Sequence, residues 1–109
     1  MGRDHLGRFE HHLLLAVMRL GNEAYGMTIR RHLADHTGRE VAVGAIYTAL
    51  ARLEVRGFVQ SRLGDPTPER GGKAKRYYRV LAAGKKAVAK AQATLLGLSR
   101  ELDRDLEQT

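Results

Sequence analysis

The sequence predicts a mainly α-helical fold with one small β-hairpin, closed by a long C-terminal helix. Three observations lead there. Apolar residues recur at helical spacing in four separate segments. Two short segments between the third and fourth of these read as strands, and the loop joining them holds both prolines. The chain has 109 residues, the length of one ordinary domain, and 43% of them are hydrophobic, enough for a core.

The elements follow in order. From Leu6 to Leu20 the apolar residues Leu6, Phe9, Leu13, Val17 and Leu20 are spaced 3, 4, 4 and 3, an amphipathic helix whose stripe is widened by Leu14 and Met18. Gly21-Asn22 stops it. A second helix after Tyr25-Gly26 turns Ile29 and Leu33 inward and Arg30, Arg31 and His32 outward, and it ends at Thr37-Gly38, where glycine supplies a left-handed cap. The third helix, Val43 to Gly57, has one apolar face of Val43, Ile46, Tyr47, Leu50 and Leu53. Its other face carries Gly44, Ala45, Thr48, Ala49 and Arg52. Small residues let a helix approach another body closely, and an arginine one turn on reaches outward. Such a surface suits a helix that lies in a groove.

Gly57 ends that helix. Phe58–Leu63 then reads as a short strand, Gly64–Gly72 as a loop, and Arg76–Val80 as the returning strand. The last segment, Ala82 to about Leu106, is a helix with Val88, Ala91, Leu95, Leu98 and Leu102 spaced 3, 4, 3 and 4. Three short helices and a hairpin are too small to cover its length. The seam therefore calls for a second copy of the same helix, and these five residues are the expected dimerisation contacts.

Charge narrows the function. Nineteen Lys and Arg face twelve Asp and Glu, a net charge of +7. The excess is densest at Arg70, Lys73, Lys75, Arg76 and Arg79, with no acid among residues 70–79. Unpaired cations beside glycines suit a polyanion, because neutralising phosphates releases condensed counterions. Cysteine is absent, which excludes a disulfide framework, a thiolate metal site and a cysteine nucleophile. The longest apolar run, Leu13–Met18, is too short to span a membrane, and the opening Met-Gly-Arg-Asp-His lacks the apolar stretch of a signal peptide. A soluble cytoplasmic protein is expected.

Catalysis is not. The acids Glu101, Asp103, Asp105 and Glu107 alternate beside Arg100 and Arg104 as a solvated helix end, and Ser61 and Ser99 have no accompanying histidine pattern. Gly71-Gly72-Lys73 lacks the spacing of a nucleotide-binding loop. No cofactor and no metal is expected. His32 and His36, one helical turn apart with Asp35 between them, keep a metal sensor open as an alternative, with His5, His11 and His12 near the start. A second alternative is an architectural or RNA-binding module without sequence preference, for which Tyr77 is the candidate stacking residue.

Helix, helix, helix and a hairpin with a basic tip is the order of a winged helix-turn-helix. Residues 1–81 would form that DNA-binding domain and 82–109 the dimerisation helix. The run Tyr25-Gly26-Met27-Thr28-Ile29, the run Gly44–Glu54, Gly57, the wing Glu69-Arg70-Gly71-Gly72-Lys73 and then Arg76-Tyr77-Tyr78 with Ala83-Gly84 together resemble the PadR family of bacterial transcriptional regulators, in register from residue 6 to about 90. The resemblance implies a homodimeric repressor on a palindromic site, of the short subfamily with a single C-terminal helix. It assigns DNA contacts to Gly44, Ala45, Tyr47, Thr48 and Arg52 in the third helix, and to Arg70, Gly71, Gly72, Lys73, Lys75 and Arg76 in the wing. For Tyr47 it suggests a hydroxyl on a phosphate; the position itself equally suits a core ring. Some members take small hydrophobic or phenolic effectors at the dimer interface, in cases by stacking on tryptophan. This chain has no Trp, so an aromatic sandwich is not expected, although Phe9, Leu13, Leu95 and Leu98 could line an aliphatic pocket. The identity of any effector is left open.

Overall fold

The computed structural model describes residues 5–65 and 74–108. Its elements are α1 (Arg8–Leu20), a 3-10 turn (Gly21–Glu23), α2 (Gly26–Thr37), α3 (Val43–Val55), β1 (Val59–Leu63), β2 (Arg76–Val80) and α4 (Ala82–Gln108). This is the expected class, mainly helical with one antiparallel hairpin.

Helix α1 starts two residues later than the apolar spacing suggests. The Glu10 carboxylate reaches back to accept from the Gly7 amide at 2.9 Å, a cap that sets the first turn at Arg8. Leu6 lies before the helix, yet still packs against the core. The 3-10 turn after Leu20 was not legible in the spacing. Helix α2 is opened by Thr28, whose hydroxyl accepts from the Tyr25 amide at 3.0 Å. It closes as expected at Gly38, with φ +74° and its N–H on the Ala34 carbonyl at 2.9 Å. Arg30 turns back rather than outward: its Nε donates to the Val41 carbonyl at 2.9 Å and holds the α2–α3 connection against α2. His32 is half-buried.

The core gathers Leu13, Leu14 and Val17 of α1, Ile29 and Leu33 of α2, Ile46, Leu50 and Leu53 of α3, and Phe58, Val59, Tyr78 and Val80 of the hairpin. Helix α3 therefore buries a narrower stripe than the sequence pattern drew, because Val43 and Tyr47 remain more than a third exposed. The hairpin pairs Val59 with Val80 and Leu63 with Arg76. A single antiparallel bridge between Tyr25 and Tyr77, with the Tyr78 amide donating to Ala24 O at 2.9 Å, ties β2 to the start of α2.

Helix α4 belongs to two environments. Gly84, Ala87 and Val88 are buried in the same core, whereas beyond half-buried Ala91 the side chains are exposed. At about 1.5 Å per residue this helix accounts for most of the 61 Å long dimension. Among the described residues no helix is long and apolar enough to cross a membrane.

Gly84 fixes how α4 leaves the hairpin. A β-carbon there would collide with the Phe58 carbonyl oxygen and sit 2.7 Å from Val80 Cγ1. A backbone carbonyl cannot swing away as a side chain can. Gly84→Ala is expected to cost about 1–3 kcal/mol of stability, read as a lower thermal midpoint. An unchanged midpoint would contradict this packing.

Candidate nucleic-acid interface

Burying Ile46, Leu50 and Leu53 turns the opposite side of α3 to solvent. The centre of that exposed ridge is Gly44, Thr48, Ala51 and Val55, spaced 4, 3 and 4, with Val55 at 89% exposure. Ala45 and Arg52 flank it on one side and Tyr47 on the other. Ala49 instead packs against the core. Sequence reasoning thus missed Ala51 and Val55, although their spacing from Gly44 and Thr48 was there to be read. No side chain longer than valine stands on the ridge line itself, so the helix backbone can approach a duplex floor closely. Arg52 projects beside it as a donor.

Tyr47 is neither a core ring nor a free one. Its ring lies over Gly26, the first residue of α2, where any β-carbon would overlap the hydroxyl and sit 2.6 Å from Cζ. The glycine of the Tyr25-Gly26 pair is therefore a seat for Tyr47, and it sets the phenol at the junction of α2 and α3.

The base of the wing carries cations held on aromatic rings. The Lys75 ammonium stands 4.6 Å over the Tyr25 ring and the Arg62 guanidinium 4.8 Å over the Tyr77 ring. The two tyrosines meet edge to face at 5.4 Å. Cation–π contact holds a charge in place without neutralising it, so Lys75 and Arg62 remain available to an anion. The candidate stacking residue Tyr77 is half-buried between Tyr25 and Arg62.

Two other cations are engaged within the protein. Arg76 donates to Ser61 Oγ at 3.2 Å, and Arg79 donates through Nε to Gln60 Oε1 at 2.9 Å. Burial pushes the Tyr78 hydroxyl above the usual tyrosine range, a rise that nearby Arg76 opposes and Tyr47 and Glu54 reinforce. Arg70, Gly71, Gly72 and Lys73, the remaining wing residues expected to touch DNA, lie outside the described residues.

Within the expected dimer seam, Val88 is buried against its own chain at 5% exposure. Ala91 is half-buried. Leu95, Leu98 and Leu102 stand 56%, 59% and 56% exposed in one stripe, with Leu96 exposed beside it. The seam therefore divides: its start closes this chain's core, and its three leucines face outward. Leu13 is wholly in the core. Phe9 lines a groove with Leu33 and Val41, rimmed by Arg8 and Arg39, far from an arrangement that joins it to Leu95 or Leu98 in one cavity of this chain.

The histidine pair has its rings 4.3 Å apart, and His36 Nδ1 lies 3.2 Å from the His32 carbonyl oxygen. Among the described residues no group of three or more His, Cys, Asp or Glu side chains could hold a metal.

The chain is similar to known proteins in sequence and in fold. The pattern of the transcriptional regulator PadR-like family matches residues 14–90. The transcriptional regulator Rv3488 of Mycobacterium tuberculosis is 35% identical over 83 residues, which cover 74% of this chain and 71% of that protein. A PadR-like transcription factor from Bacteroides fragilis shares the fold with a TM-score of 0.74 at 20% identity, over 88% of this chain and 87% of that one. A PadR family transcriptional regulator from Eggerthella lenta gives a TM-score of 0.65 at 25% identity, over 91% and 87% of the two chains.

Proposed function

This chain belongs to the PadR-like family of transcriptional regulators, and from that premise we propose that it is a sequence-specific repressor gripping a palindromic operator as a homodimer. The family is one of DNA-binding regulators, not of enzymes. The observation that carries the proposal is the bare α3 ridge of Gly44, Thr48, Ala51 and Val55, whose flanking Tyr47 lines one groove with Lys75 and Arg76 at the base of the wing.

In this reading α3 enters the major groove. Gly44 and Ala45 permit close approach, Thr48 and Ala51 meet base edges or a thymine methyl, and Arg52 pairs bidentately with guanine or phosphate. Tyr47, seated on Gly26, offers its hydroxyl to the sugar-phosphate backbone. Lys75, with Arg70, Gly71, Gly72 and Lys73, carries the wing onto backbone or minor groove. Leu95, Leu98 and Leu102 join two copies, so that two ridges read half-sites about 34 Å apart on one face of the duplex. Repression follows if occupancy of such a site excludes polymerase.

Selection of bound sites from random duplex tests this. A regulator is expected to enrich a twofold-symmetric site and to bind it at least about a thousandfold more tightly than random DNA. Equal binding to all duplexes, or preference for RNA, would reject it. The wing has its own test. Arg70→Ala combined with Lys73→Ala is expected to weaken binding to every duplex alike and to flatten the slope of log affinity against log salt by about two. An unchanged slope would remove these residues from the interface.

A further inference from the structure

We propose that Glu54 is a positioning residue whose carboxylate, acting through Ser61 and Arg76, sets the angle between α3 and the wing. The inference rests on the reading that both elements engage one duplex.

Glu54 lies in the last turn of α3, and only three residues separate that helix from β1. Its carboxylate does not point into solvent alone. It accepts from the Ser61 amide at 3.2 Å and from the Ser61 hydroxyl at 3.0 and 3.1 Å. The same hydroxyl accepts from Arg76 Nη1 at 3.2 Å. Carboxylate, hydroxyl and guanidinium thus form a line from the recognition helix across β1 to β2, with an ionised group at each end to strengthen it. The Ser61 hydroxyl spends its one proton on Glu54 and its lone pair on Arg76, so both strands are referred to α3 through one oxygen. The Tyr78 hydroxyl lies within electrostatic reach of Glu54, Arg76 and Tyr47.

These bonds are exposed. Exposed charge-assisted contacts contribute little to global stability, so stability alone gives them no evident purpose. Geometry does. The Tyr25 bridge and the buried Tyr78 ring hold β2 to the domain, while on β1 beyond Val59 the carboxylate of Glu54 on Ser61 is what ties the strand to α3. A ridge and a wing that must meet a groove and a phosphate row together lose affinity when the angle between them is free, because ordering it then opposes binding. Ser61, a hydroxyl without a histidine partner, and Arg76, an exposed cation of the basic cluster held to β1, find a common role here.

The absence of cysteine makes the test direct. Spin labels on Ala51→Cys and Ala74→Cys report the distance between α3 and the wing base in the DNA-free protein. A single narrow distribution is expected. Glu54→Ala should broaden it while moving the thermal midpoint by no more than about 2 °C. Glu54→Gln should keep it narrow, since its amide oxygen still accepts from the Ser61 amide and its N–H still reaches the hydroxyl. Ser61→Ala, which removes the hydroxyl relay, serves as a second variant and should broaden it as well. In unlabelled protein, Glu54→Ala and Ser61→Ala should each weaken binding to the selected duplex about tenfold, with Glu54→Gln close to wild type. Unchanged distributions in both variants, or a broadened distribution with unchanged affinity, would overturn the proposal. Because the distances are read without DNA, a rigid joint in a protein that selects no duplex sinks the functional reading and leaves the joint standing.

Discussion

Leu95→Asp is expected to yield a monomer that folds normally and binds a two-half-site duplex at least about a hundredfold more weakly. Leu95 stands beyond the part of α4 that closes the core, at 56% exposure, so the substitution leaves Ala87 and Val88 packed as before. In a dimer it would place a carboxylate within a stripe of leucines, and burying an unpaired charge costs several kcal/mol, more than a short helical interface can lose. The effect on DNA follows from linkage. Two tethered ridges bind as one ligand with an effective concentration that multiplies affinity by about 10² to 10⁴, and a monomer forfeits that factor. Sedimentation gives the mass, a thermal melt the fold and a titration the affinity. A variant that keeps the wild-type mass would show that the stripe is not the interface.

The second large effect is expected at the ridge. Ala51→Glu puts an anion at the centre of the surface assigned to the major groove. Ala51 is exposed, so fold and mass should be unaffected, which separates this variant from Leu95→Asp. Binding should fall at least about a hundredfold, because the side chain both blocks close approach and carries charge toward phosphates and carbonyl edges. The same change of charge at Ala93→Glu, exposed on α4 away from the leucine stripe, should alter affinity only about twofold to threefold. Equal losses at the two positions would mean that net charge alone governs binding and that α3 has no special place in it.

Much of this architecture is legible in the chain because local chemistry decides it. Gly38 ends α2 where a left-handed residue is needed, and β2 runs over Arg76–Val80 because aromatic and β-branched residues are concentrated there. The exposed side of α3 was readable in outline from its small residues. What escaped was decided by partners distant in sequence or by caps that periodicity ignores. Leu6 fits the apolar spacing of α1 but falls outside the helix, since Glu10 caps at Gly7. Arg30 looks like a solvent-facing cation until the Val41 carbonyl arrives beside it. Val88 shares the seam's register with Leu95, yet one is sealed by the chain's own core and the other is not; the heptad pattern is blind to where a core ends. Arg76 counts as one more positive charge in a basic cluster, and only the folded hairpin shows Ser61 within its reach. Tyr47 presents an ambiguous phenol until Gly26 is seen beneath it.

Hydroxyl-radical and methylation footprinting of the protein on its selected site addresses the central claim most directly. Two protected major-groove patches, centred about ten base pairs apart on one face of the duplex, are the expected result. A single patch, or protection spread evenly along the DNA, would contradict the picture of two α3 ridges carried to adjacent grooves by paired α4 helices.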